Sequence, residues 1–446
     1  MRNVTACPVA GISPTEAFDV TPYAAQLSRY FLRHELTQAL PRKFKIAFDG
    51  CATEGACIGA AFHDIAAVAA LREGARGFRL YVGGGLGNTP KPARLLEEFT
   101  PASQLVRTAH AIVDIFNAKG NRQNRNRARL KFLIATLGWD EFRRQVFEKR
   151  ATIPDGPPPD FTVEEGPPAI APRPFVEPPD PTYAAWKRDN VVKQRQPGFN
   201  AVTVLLPLGD ITSAQLRALA ENVQSHADGR ARLTIGQNML LRWVPDDRLP
   251  TLWKRLRAVE LAEPGAGTIL DVTACPGADT CNLGITSSRG LARALRQTFR
   301  EDAAVRELTI KISGCPNSCG QHHVADIGLH GASRKVGDVE IPSYNLLLGG
   351  SPTPVAGDAE FGVLTTRVAA RLAPAAVQAL AAFYVRERAP GERFRDVVLR
   401  ARDRVDALLA PFADDPRPDQ VDSLRVDWGQ ERQFVAIRGV KGECAV

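Results

Sequence analysis

A pentapeptide, Val4-Thr-Ala-Cys-Pro8, returns 268 residues later as Val272-Thr-Ala-Cys-Pro276. Lys45-Ile46 and Gly50-Cys51 return as Lys311-Ile312 and Gly314-Cys315, and Gly84-Gly85 as Gly349-Gly350, at offsets near 265. Chance supplies one such match. Three in the same order at nearly constant spacing mean an internal duplication, so the chain is expected to build one kind of unit twice.

Periodicity gives those units content. Residues 1–150 read as an α/β unit with strands Phe44–Phe48 and Gly77–Val82, the second running into Gly83-Gly-Gly-Leu-Gly87. A helix is expected over the small-residue run Ala60–Glu73, and helical spacing continues over Pro101–Ala118 and Arg125–Lys149. Between Pro154 and Pro181 lie eleven prolines with several acidic residues, which makes 151–183 a stiff linker. Residues 184–264 read strand–helix–strand–helix: Asn200–Pro207, Thr212–His226 capped by Thr212 or Ser213, a long strand Arg232–Val244, and Asp247–Leu261. Residues 265–446 form the second α/β unit, with a strand Ser343–Leu348, helices Ala373–Arg388 and Phe394–Leu409, and a tail carrying one strand-like piece, Gln433–Arg438. The arm before Val272 has no counterpart before Val4, so the upstream reading frame is expected to encode a further arm of the same pattern.

Four of the eight cysteines fall within 45 residues, as Cys275-Pro-Gly-Ala-Asp-Thr-Cys281 and Cys315-Pro-Asn-Ser-Cys319. Each pair opens with Cys-Pro after an apolar, β-branched run, so two strands end there and hand thiols to tight turns. Four thiolates from two turns suit a cubane iron–sulfur cluster, in which each iron takes one cysteine sulfur. Structural zinc is the main rival, although it favours closer pairs than C-x5-C. A disulfide pair would need an oxidising compartment, and inert buried thiols are the blandest alternative. Cys51-x5-Cys57 copies the first spacing, yet by the repeat Cys51 corresponds to Cys315. With Cys7 distant in sequence, Cys7, Cys51 and Cys57 read as buried thiols, and Cys444 as an exposed one.

A chain of 446 residues can bury two or three cores. No apolar run reaches membrane-spanning length and no secretory signal opens the sequence, which points to the cytoplasm. A net charge of +8 favours anionic ligands or an acidic partner. Nucleic acid is not expected: the Arg-rich run Asn121–Arg129 reads as a solvated helix start or loop. Gly83-Gly-Gly-Leu-Gly87 lacks the spacing of a dinucleotide fingerprint.

The cysteine motifs, the duplication and the run Leu40-Pro-Arg-Lys-Phe-Lys45 together resemble the sirohaem- and [4Fe–4S]-containing sulfite/nitrite reductases, from Arg2 to about Leu409. The resemblance implies an α+β, internally duplicated fold: two α/β cofactor-binding units plus one ferredoxin-like half-domain. Cys275, Cys281, Cys315 and Cys319 match the cluster ligands, and Cys319 the thiolate shared with the sirohaem iron. Asn317 matches a residue touching the macrocycle, and Gly83, Gly84 and Gly85 a turn approaching it. Arg2, Lys43 and Lys45 match the basic side chains that hold the substrate anion. Lys43 and Lys45 lie two apart on an expected strand and so share a face; in isolation such a run is an ordinary solvated edge. The implied reaction is six-electron reduction of sulfite to sulfide or nitrite to ammonium, with ferredoxin or a similar one-electron donor and no membrane. Members specialised for nitrite tend to carry Asn at the position of Lys45, which favours sulfite. The alternatives are a precorrin-3B synthase-like monooxygenase, and a truncated or split non-catalytic paralogue. His322 and His323, directly after the last motif, could relay protons or serve only as packing.

Overall fold

The computed structural model describes residues 1–51, 56–161, 173–300, 304–355, 358–413, 416 and 420–436. The described chain divides into two compact units: Met1–Ala171 with Lys193–Ala201 and Pro352–Glu360, and Pro172–Val192 with Val202–Ser351 and Phe361–Val446. No helix among the described residues is long and apolar enough to cross a membrane.

The first unit is built on a five-stranded sheet in sequence order, β1 (Asn3–Ala6), β2 (Lys45–Asp49), β3 (Ile65–Arg72), β4 (Ala75–Val82) and β5 (Arg94–Pro101). The first three strands run parallel, and β4 and β5 are antiparallel to their neighbours. Helices α1 (Thr21–Phe31) and α2 (Glu35–Gln38) connect β1 to β2; α3 (Leu105–Lys119), α4 (Leu130–Leu137) and α5 (Trp139–Thr152) follow β5. Leu27, Phe48, Phe78, Phe116 and Phe142 meet in one core, each contributing roughly 1.5–3 kcal/mol by burial.

The helix expected over Ala60–Glu73 is instead a short 3-10 turn, Ala60–Phe62, followed by strand β3. Ile65-Ala-Ala-Val-Ala69 is buried at every position. A central strand covered on both faces shows no alternation, and packing overrides alanine's helical preference.

A four-stranded sheet follows in sequence, ordered β6 (Val191–Lys193), β7 (Phe199–Val204), β9 (Met239–Pro245), β8 (Ala231–Leu233). It carries α6 (Pro181–Asn190), α7 (Ser213–His226) and α8 (Leu249–Arg257), with Trp186, Val202, Leu241 and Trp253 in its core. Thr212 caps α7 in a capping box with Gln215. The long strand expected over Arg232–Val244 is a hairpin. Gln237 adopts a left-handed φ of 70°, and Thr234 N–H closes the turn on the Asn238 carbonyl at 2.9 Å.

The remaining sheet repeats the first: β10 (Thr273–Ala274), β11 (Ile310–Ser313), β12 (Ile327–Val336), β13 (Val339–Leu348), then, past the small pair β14 (Pro354–Val355) and β15 (Asp358–Ala359), β16 (Val363–Ala369). Again the first three strands are parallel and the last two antiparallel to their neighbours. Helices α9 (Ser288–Thr298), α10 (Ala373–Glu387), α11 (Phe394–Arg400) and α12 (Arg402–Leu409) complete it, the expected Phe394–Leu409 helix being interrupted at Ala401. The tail is docked rather than loose: α13 (Val421–Leu424) forms, Asp427 is buried, and 433–436 make no strand. Positions 437 and 438 of the expected strand, and Cys444, lie outside the described residues.

Strand register refines the repeat. Ile46 pairs with Ile65 as Ile310 pairs with Ile327, so Ile46 corresponds to Ile310, and Lys45-Ile46 does not match Lys311-Ile312. Lys45 N–H donates to Asp64 Oδ2 at 2.9 Å, just as Thr309 N–H donates to Asp326 Oδ2 at 2.9 Å. Gly84 N–H donates to the His63 carbonyl and Gly350 N–H to the Ala325 carbonyl. The true glycine equivalence is therefore Gly83-Gly84 with Gly349-Gly350, one residue from the sequence match. Gly50-Cys51 with Gly314-Cys315 stands: Cys7 N–H donates to the Phe48 carbonyl as Cys275 N–H does to the Ile312 carbonyl.

Candidate cofactor site

In the second unit, β10 ends at Ala274 and hands the chain to Cys275, and a 3-10 turn over Gly277–Asp279 bends it toward Cys281. Cys281 N–H donates to the Gly277 carbonyl (3.0 Å), and Gly284 N–H to the Cys281 carbonyl (2.8 Å). β11 ends at Ser313 and delivers Gly314 and Cys315. The two loops are stitched together. Ile285 and Thr286 N–H both donate to the Gly314 carbonyl, at 2.7 and 3.1 Å, and Gly314 N–H points at Cys275 Sγ, 3.1 Å away. A Cβ on Gly314 would lie 2.6 Å from Gly277 Cα, so position 314 must be bare for the main chains to touch, while a Cβ on Gly277 would meet the Thr286 carbonyl oxygen at 2.7 Å.

Cys275 and Cys315 are buried, Cys281 is half-buried, and Cys319 is exposed beside exposed Asn317. The donor set fits a cluster: four cysteine thiols on two adjoining turns, with a main-chain amide already aimed at one sulfur. The exposed Cys319 and Asn317 fit a second group laid against this turn. His322 is fully buried, and its Nδ1 lies 2.9 Å from Ser313 Oγ. Burial, with His323 and His330 beside it, drives its pKa far below the ordinary value. It stays neutral, which suits packing better than proton relay.

Bracing comes from residues that the sequence left unmarked. Ser287 Oγ caps α9 through Gly290 N–H (3.2 Å), and Ser287 N–H donates to Asp427 Oδ2 (2.7 Å). The docked tail thus holds the helix that leads away from the cysteine loop. Lys311, on β11, donates to Gln321 Oε1 at 3.0 Å, and desolvation lowers its pKa to about 8.

In the first unit, Arg2 is exposed and its N–H donates to the Phe44 carbonyl at 2.8 Å, which lays it beside the start of β2. Lys45 opens β2 while Lys43 precedes it, so the expected strand Phe44–Phe48 is displaced by one residue and Lys43 lies outside it. The alternation survives, with Lys43 and Lys45 half-buried around fully buried Phe44. Arg129 and Lys131 join this region, although the run that contains Arg129 reads as solvated. Arg129 grips buried Asp64 through Nη2–Oδ2 (2.9 Å) and Nε–Oδ1 (3.3 Å). Lys131 is buried and donates to the carbonyls of Gly85, Leu86 and Thr89 at 3.3, 2.8 and 2.7 Å, pinning the glycine turn. Desolvation and then Arg129 lower the Lys131 pKa to about 8. Gly83 (φ 87°) and Gly84 are required by the protein itself: a Cβ on Gly84 would lie 2.6 Å from the Ala61 carbonyl oxygen. Gly85 faces Lys131, its Cβ position 3.1 Å from Lys131 Cδ.

Cys7 is not remote from the Cys51–Cys57 pair. Its sulfur, that of Cys57 and a carboxylate oxygen of Asp49 lie within 4.8 Å of one another. Cys7 and Cys51 are buried as expected, whereas Cys57 is exposed, because the turn that carries it opens to solvent. Cys51 Sγ faces Ser13 Oγ at 3.3 Å.

Comparison with known proteins agrees with this arrangement. The profile described as the nitrite and sulphite reductase 4Fe-4S domain matches residues 1–154 and 265–401, and that of the nitrite/sulfite reductase ferredoxin-like half domain matches 192–259. A ferredoxin–nitrite reductase of Synechococcus elongatus is 32% identical over 81% of this chain and 67% of its own. A sulfite reductase [ferredoxin] of Mycolicibacterium paratuberculosis is 30% identical over 90% of this chain and 69% of its own. The structure of Mycobacterium tuberculosis NirA superposes with a TM-score of 0.74 at 26% identity, covering 90% of this chain and 70% of that one. Two sheets of one topology, the stitched cysteine turns and these matches place the chain in the nitrite and sulphite reductase family, whose members carry sirohaem and a [4Fe–4S] cluster.

Proposed function

We propose that this chain reduces sulfite to sulfide, or nitrite to ammonium, taking six electrons singly from a ferredoxin-like donor. The observation that carries the reading is the pair of stitched turns, which offers four cysteine thiols on two loops joined main chain to main chain. Cys275, Cys281, Cys315 and Cys319 would hold the cluster, and Cys319 with Asn317 would meet the sirohaem. When bound, those groups supply one-electron storage and an open iron position for the anion's lone pair.

The remaining work falls to the protein's own side chains. Gly314 N–H directed at Cys275 Sγ favours the electron-rich state of that sulfur. Arg2, Lys43 and Lys45 would neutralise the oxyanion's oxygens and orient it. Arg129 and Lys131 would keep the field in that region positive while holding β2 and the glycine turn in place. Lysine rather than a neutral side chain at position 45 adds charge for dianionic sulfite and favours it over nitrite. A basic chain, +8 overall, suits an acidic donor.

The test is anaerobic purification with absorption spectroscopy, iron and sulfide counts, and product assay with reduced ferredoxin on each anion. Sirohaem bands, acid-labile sulfide and formation of sulfide or ammonium are expected. Zinc in place of iron, or no labile sulfide, would overturn the reading.

A further inference from the structure

The first unit keeps a counterpart for all but one of the four motif cysteines of the second. Cys7 and Cys275 each follow the first strand, and Cys51 and Cys315 each follow the second. Gly59 and Gln321 are both left-handed, at φ 62° and 63°, and each opens a 3-10 turn, Ala60–Phe62 and His322–Val324. Cys57 and Cys319 both sit two residues before that left-handed position. Ser13 stands six residues past Cys7, where Cys281 stands six past Cys275. In exchange, Asp49 occupies the place of Ser313, just before Gly50 and Gly314.

We propose that Cys7, Asp49 and Cys57 bind one thiophilic divalent ion of the zinc class, a second metal site independent of the reductase reading. Their donor atoms already lie within 4.8 Å of one another. Tetrahedral zinc, with Zn–S about 2.3 Å, holds its sulfurs about 3.8 Å apart, so closure takes about 1 Å at most. Asp49 supplies a separate indication. It is fully buried, its Oδ1 accepts from Cys51 N–H at 3.0 Å, and its Oδ2 has no hydrogen-bond partner. An unanswered carboxylate oxygen in the interior is expensive, and a cation between it and two sulfurs answers it. Exposed Cys57 gives the route in and leaves room for water as the fourth ligand. Binding takes both sulfurs as thiolates and releases their protons to solvent. With Ser13 in place of a fourth thiol, a single ion fits where a cubane does not.

The test uses the full chain carrying its cluster, so that Cys275, Cys281, Cys315 and Cys319 are occupied. Chelator-treated anaerobic protein is titrated with Cd2+ while sulfur-to-metal charge-transfer absorption, iron and sulfide are followed. One equivalent of Cd2+ at unchanged iron is expected. Cys57→Ala, at the solvent edge, should weaken that binding at least about tenfold, and Asp49→Asn by about tenfold at an unchanged melting temperature. Absence of the band in the unmodified protein, Cd2+ binding undiminished in Cys57→Ala, a Cys7–Cys57 disulfide in anaerobic material, or iron and sulfide beyond one cluster would each overturn the proposal.

Discussion

In the first sheet, strand Lys45–Asp49 delivers Gly50 and Cys51, with Cys57 following in sequence; in the second, Ile310–Ser313 delivers Gly314 and Cys315, with Cys319 following. Five residues separate the first two thiols and three the second. Cys57 lies with Cys7 and Asp49, whereas Cys319 is exposed beside Asn317. Gly314 touches Gly277 main chain to main chain, whereas Gly50 faces the Phe18 carbonyl and the Glu16 side chain. One scaffold thus carries two seats, and what distinguishes them is turn length and which backbone is left bare.

The largest expected effect separates the thiols. Cys315→Ser should abolish bound iron and labile sulfide together, while Cys51→Ser leaves both counts intact. Equal loss in both variants would mean the two turns are not divided as described. Next come the equivalent carboxylates. Asp64→Asn strands the half-buried Arg129 and should lower stability by about 3–5 kcal/mol. Asp326→Asn, which answers only Thr309 N–H and Oγ1, should lower it by about 1 kcal/mol in denaturant titration.

A third contrast concerns protons. His63 is buried, with Nδ1–H on the Gly59 carbonyl at 2.9 Å, and desolvation lowers its pKa to about 4. The unfolded chain therefore binds the extra proton between pH 6.5 and 4. Stability from this source is complete above about pH 6.5 and is lost as pH falls toward 4, by at most about 3 kcal/mol. His63→Gln should make that part of the stability–pH curve shallower, the remaining slope coming from other buried histidines such as His322. The last contrast is steric. Gly314→Ala should lower stability by about 1–3 kcal/mol with loss of iron, and Gly50→Ala, whose Cβ would lie 3.0 Å from the Phe18 carbonyl oxygen, by less and with iron retained.

Much of this comparison is legible in the sequence. Cys-Pro after an apolar run marks both strand ends, and Gly50-Cys51 with Gly314-Cys315 finds the true register. Lys45-Ile46 misleads because Lys311-Ile312 lies two positions along a strand, where a period of two preserves the face and so the pattern. The run Ile65–Ala69 hides its strand, since a strand buried on both sides carries no alternation. The approach of Cys7 to Cys57 cannot be read from spacing, because the parallel pairing of β1 with β2 creates it across the sheet. Arg129 escapes notice inside a run whose other arginines, Arg122, Arg125 and Arg127, are exposed. Nor does composition mark the tail, where a single carboxylate, Asp427, ties it to Ser287.

Where Gly314 meets Gly277 no side chain intervenes, so the two cysteine loops are joined main chain to main chain, with the Ser288 hydroxyl bonded to the Cys275 carbonyl beside them. The mount behaves as a jig. Substitutions in the surrounding core can alter how firmly the second unit holds together while leaving the separation of its anchoring points unchanged, and sequence is therefore free to drift around this seat far more than within it.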